Sequence, residues 1–265
     1  MRSPVARLRA VGELRLNGLV PFSAGELAAI AAIVLLAYVV LGTSGFGSAV
    51  VGIPLLAHVM PLRYAVPLVL ILDVVGMLIQ GARVRRQIDR TELRRLVPFM
   101  VLGIALGTTL LANLPERALV AILGCLAVGY GLLNLAGGPP ARQMSATWAV
   151  PTGVAGGTMG ALFGTGGPIY IIYLSRRLAD VTELRATITA VLMVSVATRM
   201  VIFAVSGLLQ QDGLLVVAAA MLPVMFAGLN IGWRMHARLP HAVVRRVLYA
   251  LLILSGVSLL VRALA

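Results

Sequence analysis

The sequence predicts an all-α, polytopic transmembrane protein, and three observations carry this prediction. Of its 265 residues, 60% are apolar and only 12% are charged, whereas a soluble domain has about 45–50% apolar and about 25% charged residues. Apolar runs of about 20 residues, the length that crosses a bilayer as a helix, recur along the whole chain. The arginines gather in short segments between these runs. A soluble globule is excluded, because so few charged side chains cannot cover so much apolar surface.

Seven apolar runs predict membrane-spanning helices along the chain. They cover residues 26–41, 64–82, 96–113, 118–136, 186–206, 214–233 and 247–263. Two further apolar regions, 42–60 and 146–175, are interrupted by glycines, and the second is long enough for one helix followed by a shorter one. We therefore expect about ten membrane elements. The first 21 residues carry four arginines and no uninterrupted apolar core, which predicts a basic, amphipathic tail rather than a cleavable signal peptide.

The positive charge of the chain is concentrated in connecting segments. All 22 basic residues are arginine, and the net charge is +13. Six arginines lie in segment 83–95 and four in segment 234–246. Segment 113–117 has no net charge, and segment 207–213 has no arginine. Cytoplasmic loops of membrane proteins are rich in arginine, so the first two segments and 176–185 are expected in the cytoplasm and the other two outside. Topology and contact with anionic membrane lipids explain the excess charge, and nucleic acid is not expected as a partner.

The chain divides into two halves of similar pattern. Residues 114–135 resemble residues 239–260, and Gly45-Phe-Gly47 resembles Gly164-Thr-Gly166. This overlay matches arginine-rich loops with arginine-poor ones and so places matched loops on opposite sides of the membrane. We therefore expect two inverted repeats of about five elements each, an arrangement typical of transporters. The predicted domains are a basic N-terminal tail (1–24), a first transmembrane repeat (25–137), a linker (138–145) and a second transmembrane repeat (146–265).

The side of the membrane on which the N-terminus lies is left open by the sequence. Five crossing elements in the first half would put it outside, whereas the arginines of the tail favour the cytoplasm. Either one glycine-broken element of the first half does not cross the membrane completely, or the tail lies outside despite its arginines.

Two glycine-rich breaks are the strongest local signal, one from Gly42 to Ser48 and one from Gly156 to Pro168. Glycine interrupts helices, and proline favours the first turn of a new helix. Broken backbone at membrane depth occurs only where it is buried in protein or lines a wet cavity, and helix N-termini there would direct free N–H groups at an anion. Close helix packing through small residues is the alternative. The candidate substrate-binding residues of the breaks are Thr43, Ser44, Gly45, Gly47, Ser48, Gly164, Thr165, Gly166 and Gly167, and Thr158 is a further hydroxyl donor.

Two charged residues, Asp73 and Arg199, lie well inside predicted spans, where charge is costly and usually functional. Arg199 could hold an oxyanion through two parallel hydrogen bonds and is a further candidate for substrate binding. Asp73 is the candidate for proton coupling. A structural ion pair between the two is the alternative. The sequence shows no metal-ligand cluster, nucleophile–base set or nucleotide-binding motif, so no metal, cofactor or catalytic residues are expected.

At the glycine repeats the sequence resembles the TauE/SafE family of sulfite-exporter-like bacterial membrane permeases. The family has a glycine-rich stretch, an apolar run and a span that begins with alanine in both halves. The first copy here starts at Gly42 and leads to Ala65, and the second starts at Gly160 and leads to Ala186. The resemblance covers about residues 25–265. This sequence departs from the family pattern at Ser48, which stands where the family has a glycine.

The resemblance implies a multi-pass protein of the bacterial inner membrane that exports a small sulfur-containing anion, sulfite or an organosulfonate such as sulfoacetate. The expected mechanism is secondary transport by alternating access, with proton coupling as an option. The alternatives are a passive anion channel and a non-transporting membrane subunit or membrane enzyme. Expected partners are the anionic substrate, membrane lipids and a second copy of the chain in a homodimer.

Overall fold

The computed structural model describes residues 21–44, 47–81, 88–135, 144–236 and 241–264, which form ten α-helices, one short 3₁₀ turn and no strand. The helices of the first half are α1 (Ala24–Ser44), α2 (Ser48–Leu56), α3 (Leu62–Gly81), α4 (Arg90–Asn113) and α5 (Glu116–Leu135). The second half contains the 3₁₀ turn (Ala146–Trp148), α6 (Ala149–Phe163), α7 (Gly166–Ser175), α8 (Val181–Val205), α9 (Leu214–His236) and α10 (His241–Leu264). The predicted all-α class is confirmed. Most of the predicted basic tail and linker lies outside the described residues.

Helices α1 and α2 fold back on each other as a hairpin. Gly47, immediately before α2, has a φ of 102°, a left-handed conformation that glycine adopts without strain. On the arms of the hairpin, Gly52 of α2 packs against Ala37 of α1. The rings of Phe22, just before α1, and Tyr64, in the first turn of α3 after the hairpin, make an edge contact with centroids 5.1 Å apart. Both ends of this hairpin therefore lie at the same end of the helix bundle.

Helices α6 and α7 form a second hairpin of the same kind. Gly164, which ends α6, has a φ of 66°, and the ring of Tyr170 on α7 lies against Gly156 on α6. Arg177, just after α7, donates a hydrogen bond of 3.2 Å from Nη1 to the carbonyl of Met144, just before the 3₁₀ turn that leads into α6. The two ends of this hairpin also lie together.

The two hairpins enter the bundle from opposite ends, and helix α4 shows this directly. Near its first turn, Glu92 binds Arg177 of the second hairpin at 2.8 Å. Past its last residue, the carbonyl of Leu114 accepts a hydrogen bond of 2.8 Å from Arg63, which follows the first hairpin. The hairpins thus open toward the two different ends of α4.

The region 42–60, predicted as one glycine-broken element, is divided differently in the structure. Its first three residues complete α1, and its remainder contains α2, which has nine residues. A helix of nine residues is about 14 Å long and cannot cross a hydrocarbon core of about 30 Å. The region therefore re-enters as the second arm of a hairpin instead of spanning.

The halves exchange helices in their packing. Helix α1 packs along α9 of the other half, and α6 packs along α4 of the first half, while α5 packs on α10 and α3 on α8. The contacts between the exchanged helices run through glycines: a Cβ on Gly42 would lie 2.7 Å from the carbonyl oxygen of Leu229, and one on Gly157 would collide with the carbonyl of Met100. Each pairing has a counterpart when the halves are interchanged.

Helices α4 and α8 begin with the same capping sequence, Asp-x-Thr-Glu. The side chain of Asp89 accepts hydrogen bonds of 2.7 and 3.0 Å from the backbone N–H groups two and three residues later, and that of Asp180 does so at 2.6 and 3.0 Å. The bonds from the backbone of Glu183 and Thr182 lower the pKa of the Asp180 carboxyl. These caps fix where both helices begin.

Four helices, among the residues that the structure describes, are long and apolar enough to cross a membrane by length and composition. They are Ala24–Thr43, Arg90–Asn113, Val181–Val205 and Leu214–Met235.

Candidate functional site

The tips of the two hairpins meet inside the bundle, where a Cβ on Gly164 would collide with Ala49 in the first turn of α2. Beside this contact lies a cavity of about 70 Å³, which we call the anion cavity. The first half lines it with Gly47, Ser48, Ala49, Val50, Asp73 and Met77. The second half lines it with Gly160, Gly164, Gly166, Gly167, Ser195 and Arg199. One water needs about 10–15 Å³ in such a cavity, so the space suits a few waters or one small oxyanion.

Two helices begin at the anion cavity. Its walls include the first-turn residues Ser48 and Ala49 of α2 and Gly166 and Gly167 of α7. The first N–H groups of a helix have no partner within that helix, and the aligned peptide dipoles give this end a partial positive charge. Two helix N-termini that converge on one cavity form an environment that favours a bound anion.

Asp73 is held within the first half. Its side chain lies on α3, the residue is 8% exposed, and Oδ1 accepts hydrogen bonds from Tyr38 Oη on α1 and Ser48 Oγ on α2, each 2.8 Å long. The carboxylate thus ties both arms of the first hairpin to α3, and it also lines the anion cavity. Burial of a carboxylate requires such hydrogen bonds to offset its lost hydration.

Arg199 occupies the opposite wall, within the second half. The residue is 6% exposed, and its Nη1 donates a hydrogen bond of 2.8 Å to the carbonyl of Gly160 in the last turn of α6. Its Nε is buried and has no hydrogen-bond partner among the described residues. No ion pair within 4 Å joins Arg199 to Asp73 in the described part of the chain. The side chain of Arg199 therefore brings a positive charge to the wall of the cavity.

The predicted binding residues of the first break are distributed around the tip of the first hairpin. Gly47 and Ser48 line the anion cavity. Thr43 is buried, and its hydroxyl donates a hydrogen bond of 2.9 Å to the carbonyl of Val40 within α1. Ser44 ends α1, but its side chain and the whole of Gly45 lie outside the described residues.

In the second break, Gly164, Gly166 and Gly167 line the anion cavity. Thr165 instead lines a neighbouring cavity, and its hydroxyl donates to the carbonyl of Met159 at 3.4 Å. The hydroxyl of Thr158 donates to the carbonyl of Gly103 on α4 at 3.1 Å, so it joins α6 to α4.

Sequence reasoning missed Tyr38, the hydrogen-bond donor to Asp73, although a lone tyrosine within an apolar run was a usable signal. Glu92 belongs to segment 83–95, which the sequence predicts as a cytoplasmic connection, but this residue is 2% exposed. Glu92 accepts hydrogen bonds from Tyr173 Oη at 2.6 Å, Arg177 Nη2 at 2.8 Å and Arg95 Nη1 at 2.8 Å. The group clamps the open end of the second hairpin to α4.

Two comparisons with known proteins match this chain. The family model "Sulfite exporter TauE/SafE" matches residues 30–259. The "Probable inner membrane transporter protein TsaS" of Comamonas testosteroni is 30% identical over 193 residues, which cover 72% of this chain and 81% of that protein. No solved structure matches the chain.

Proposed function

Because the chain belongs to the TauE/SafE family and is a transporter of the inner membrane, we propose that it exports a small sulfur-containing anion by secondary transport. The family description names sulfite as the exported anion. Sulfite, or an organosulfonate such as sulfoacetate, is the proposed substrate, and we propose that it passes through without chemical change.

The observation that carries the proposal is the convergence of positive groups on the anion cavity. Helices α2 and α7 both begin there, and the buried guanidinium of Arg199 adds a donor without a partner among the described residues. A sulfonate or sulfite group has three oxygens that accept hydrogen bonds, so it can bind the helix N-termini and Arg199 together. Charge-assisted hydrogen bonds of this type are about twice as strong as neutral ones.

Alternating access is the proposed mechanism, and the arrangement of the hairpins supports it. One hairpin opens toward each end of the bundle, and the anion cavity lies between their tips with one wall from each half. This arrangement supports the proposal of inverted repeats, whose movement about a fixed central site would expose that site to one side of the membrane at a time. The strong burial of Asp73 and Arg199 favours this mechanism over an open channel, in which both would contact water.

Two sources of energy suit this arrangement. The inside-negative membrane potential drives a monovalent anion outward with about 2.3 kcal/mol per 100 mV. Asp73 is the proposed proton carrier, because it is the acidic residue among those lining the anion cavity in the described part of the chain. Inward movement of a proton on Asp73 would add the proton gradient to the driving force for export.

Flux measurements in vesicles containing the purified protein test the proposal. We expect sulfite flux that saturates with concentration and increases with an imposed proton gradient, whereas protein-free vesicles set the background. Flux that follows the potential without saturation would identify a channel. The absence of flux for sulfite and all sulfonates would contradict transport of these anions and leave a non-transporting role.

A further inference from the structure

A second cavity of about 100 Å³, which we call the apolar cavity, adjoins the tips of the two hairpins. Its walls come from α2, α5, α6, α7 and α10, and none of the described residues that line it is charged. The cavity is not closed off from the outside of the bundle, and its lining residues Leu126 and Ile169 are partly exposed. Lipid tails are as apolar as leucine, so an acyl chain of the surrounding bilayer suits this space.

One wall of the apolar cavity leads to the end of the bundle at which the first hairpin opens. Pro54 of α2 lines the cavity, and its carbonyl accepts a hydrogen bond of 2.9 Å from Nδ1 of His58, one turn later. The other ring nitrogen of His58, Nε2, lies 3.0 Å from the hydroxyl of Ser258 on α10. Both His58 and Ser258 are exposed. The end of α2 and α10 therefore meet at an accessible polar point, one helical turn from the cavity.

Two arginines lie at the same end of the bundle. Arg262 of α10 donates a hydrogen bond of 2.9 Å from Nη1 to the carbonyl of Ala57, just after α2. Arg117 of α5 donates one of 2.6 Å from Nε to the carbonyl of Ala263. Both arginines are exposed, and neither forms an ion pair with a described residue. We call Arg117, Arg262 and His58 the basic cluster, and its residues lie on or next to three of the helices that enclose the apolar cavity.

The distance between the basic cluster and the apolar cavity matches the depth of one lipid leaflet. Leu252, which lines the cavity, precedes Arg262 by ten residues on α10, which is about 15 Å along the helix axis. The hydrocarbon core of a bilayer is about 30 Å thick, so one leaflet spans about 15 Å. A phospholipid whose phosphate lies at the basic cluster would therefore place the end of an acyl chain at the depth of the cavity.

We propose that this part of the protein is a binding site for one phospholipid with an anionic headgroup. The headgroup phosphate lies at the basic cluster, and one acyl chain extends into the apolar cavity. The exposed arginines favour a negative headgroup over a neutral one, and the uncharged lining favours the acyl chain. The bound lipid joins the end of the first hairpin to α5 and α10. This site is distinct from that of the transported anion and goes beyond the proposed function.

Native mass spectrometry of the purified full-length protein tests the proposal, with two lipids of identical oleoyl chains added in increasing amounts. Phosphatidylglycerol and phosphatidylcholine both carry a phosphate, but only phosphatidylglycerol has a net negative charge. We expect phosphatidylglycerol to bind about tenfold more tightly, because arginines near the membrane surface attract anionic headgroups. The measured quantities are the two dissociation constants.

Arg262→Gln tests the basic cluster. Glutamine removes the charge but keeps an amide donor for the carbonyl of Ala57. We expect about fivefold weaker binding of phosphatidylglycerol and unchanged binding of phosphatidylcholine. Arg63→Gln is the matched control and should keep both affinities. Arg63 also donates to backbone carbonyls at this end of the bundle, but those carbonyls belong to Leu111 of α4 and to Leu114 just after it, neither of which lines the apolar cavity.

Ala127→Leu tests the position of the acyl chain. Ala127 is 5% exposed and lines the apolar cavity, so leucine fills the space and is expected to weaken binding of both lipids about fivefold through lost apolar contact. Ala127→Val, which adds less volume, gives the same test if the leucine variant does not fold. Ala220→Leu, on an exposed position of α9, is the control and should bind both lipids as the unaltered chain does.

Four results would overturn the proposal. They are equal affinity of the unaltered chain for the two lipids, equal losses in Arg63→Gln and Arg262→Gln, and full lipid binding by a folded protein whose cavity is filled at Ala127. The fourth is an unaltered chain that is a dimer without bound lipid and becomes a monomer when Ala127 is replaced, since the cavity would then belong to contact with a second copy. A preference for phosphatidylglycerol that falls in Arg262→Gln alone among the arginine variants, together with weaker binding of both lipids when the cavity is filled, would support it.

Discussion

Arg199 combines two tasks in one side chain. Through Nη1 it donates to the carbonyl of Gly160 in the last turn of α6, which also accepts a hydrogen bond of 2.9 Å from the backbone N–H of Gly164. Its side chain also lines the anion cavity. The hydrogen bond to α6 fixes the position of the guanidinium, which lowers the entropy cost of binding the proposed anion.

Replacement of Arg199 by alanine is expected to weaken sulfite binding by about 10- to 100-fold, because hydrogen bonds to charged groups contribute about 1.5–3 kcal/mol. Equilibrium binding or the half-saturation of flux measures this change. Arg199→Lys keeps the charge but not the fork of donors, so it should recover part of the affinity. Unchanged affinity in the folded Arg199→Ala protein would show that the residue only supports α6.

Asp73→Asn is expected to remove the dependence of flux on the proton gradient and to keep its dependence on the membrane potential. Asparagine has nearly the same shape and retains an acceptor for Tyr38 and Ser48, but it cannot release a proton. Flux measured with a pH gradient alone and with a potential alone distinguishes the two driving forces. A proton response that persists in this variant would exclude Asp73 as the carrier.

Glu92→Gln is expected to destabilise the protein by about 1–3 kcal/mol, because the partly exposed Arg95 and Arg177 lose their buried anion while Tyr173 keeps an acceptor. Thermal unfolding in detergent measures the effect. Glu183→Gln is the matched control, since Glu183 occupies the same place in the second Asp-x-Thr-Glu sequence and forms no ion pair among the described residues. Equal losses in both variants would contradict a specific clamp at Glu92.

At the scale of elements, the hairpins depend on close contact between backbones. Helix α6 can lie along α4 only because glycines face carbonyl groups on both sides, as Gly103 does at Val154 and Gly157 at Met100. The contact places the tip of the second hairpin at the depth of the anion cavity. Packing of this kind contributes much of helix association in membranes.

Gly157→Ala is expected to reduce stability by about 1–3 kcal/mol, because its Cβ would collide with the carbonyl of Met100 and separate α6 from α4. The unfolding temperature of the purified variant gives the measurement. Gly129→Ala is the control, since a Cβ there meets no atom within 4 Å. A variant Gly157→Ala as stable as Gly129→Ala would contradict the close packing of these helices.

The sequence predicted the helical class and the two glycine breaks well, because apolar runs and glycine clusters are local signals. It could not show that the break before Ser48 reverses the chain, since a span and a hairpin arm have the same apolar composition. Nor could it separate Thr158, which binds Gly103 across a helix contact, from a hydroxyl at the site. The direction of the chain at a break and the partner of a hydroxyl group both depend on contacts with residues that are distant in sequence.

At the scale of the whole molecule, the two hairpins predict the side of the membrane on which α1 begins. Because the first hairpin begins and ends at one end of the bundle, α1 and α2 together make no net crossing, and we predict that α3, α4 and α5 make the net crossings of the first half. Arg90, Arg94 and Arg95 at the start of α4 and Arg177 are expected on the cytoplasmic side, as their charge predicts, and the start of α1 is then expected outside.

Accessibility of single cysteines from outside the cell tests this topology. In a Cys125→Ala background, a membrane-impermeant thiol reagent is expected to label Ser23→Cys and Asp212→Cys in intact cells. It is expected to label Ser145→Cys and Ser175→Cys only after the membrane is broken. All four of these positions are exposed. Labelling of Ser145→Cys in intact cells would contradict the re-entrant arrangement.

The exchange of helices between halves has a consequence for biosynthesis. Helix α1 leaves the ribosome well before its packing partner α9, which begins at Leu214. Contacts between segments so distant in sequence form late in folding, so the face of α1 that includes Gly42 has no α9 to pack against until the second half of the chain has been made. A chain truncated before α9 therefore leaves the first hairpin without its support, and we expect the cell to degrade it rather than insert half a transporter.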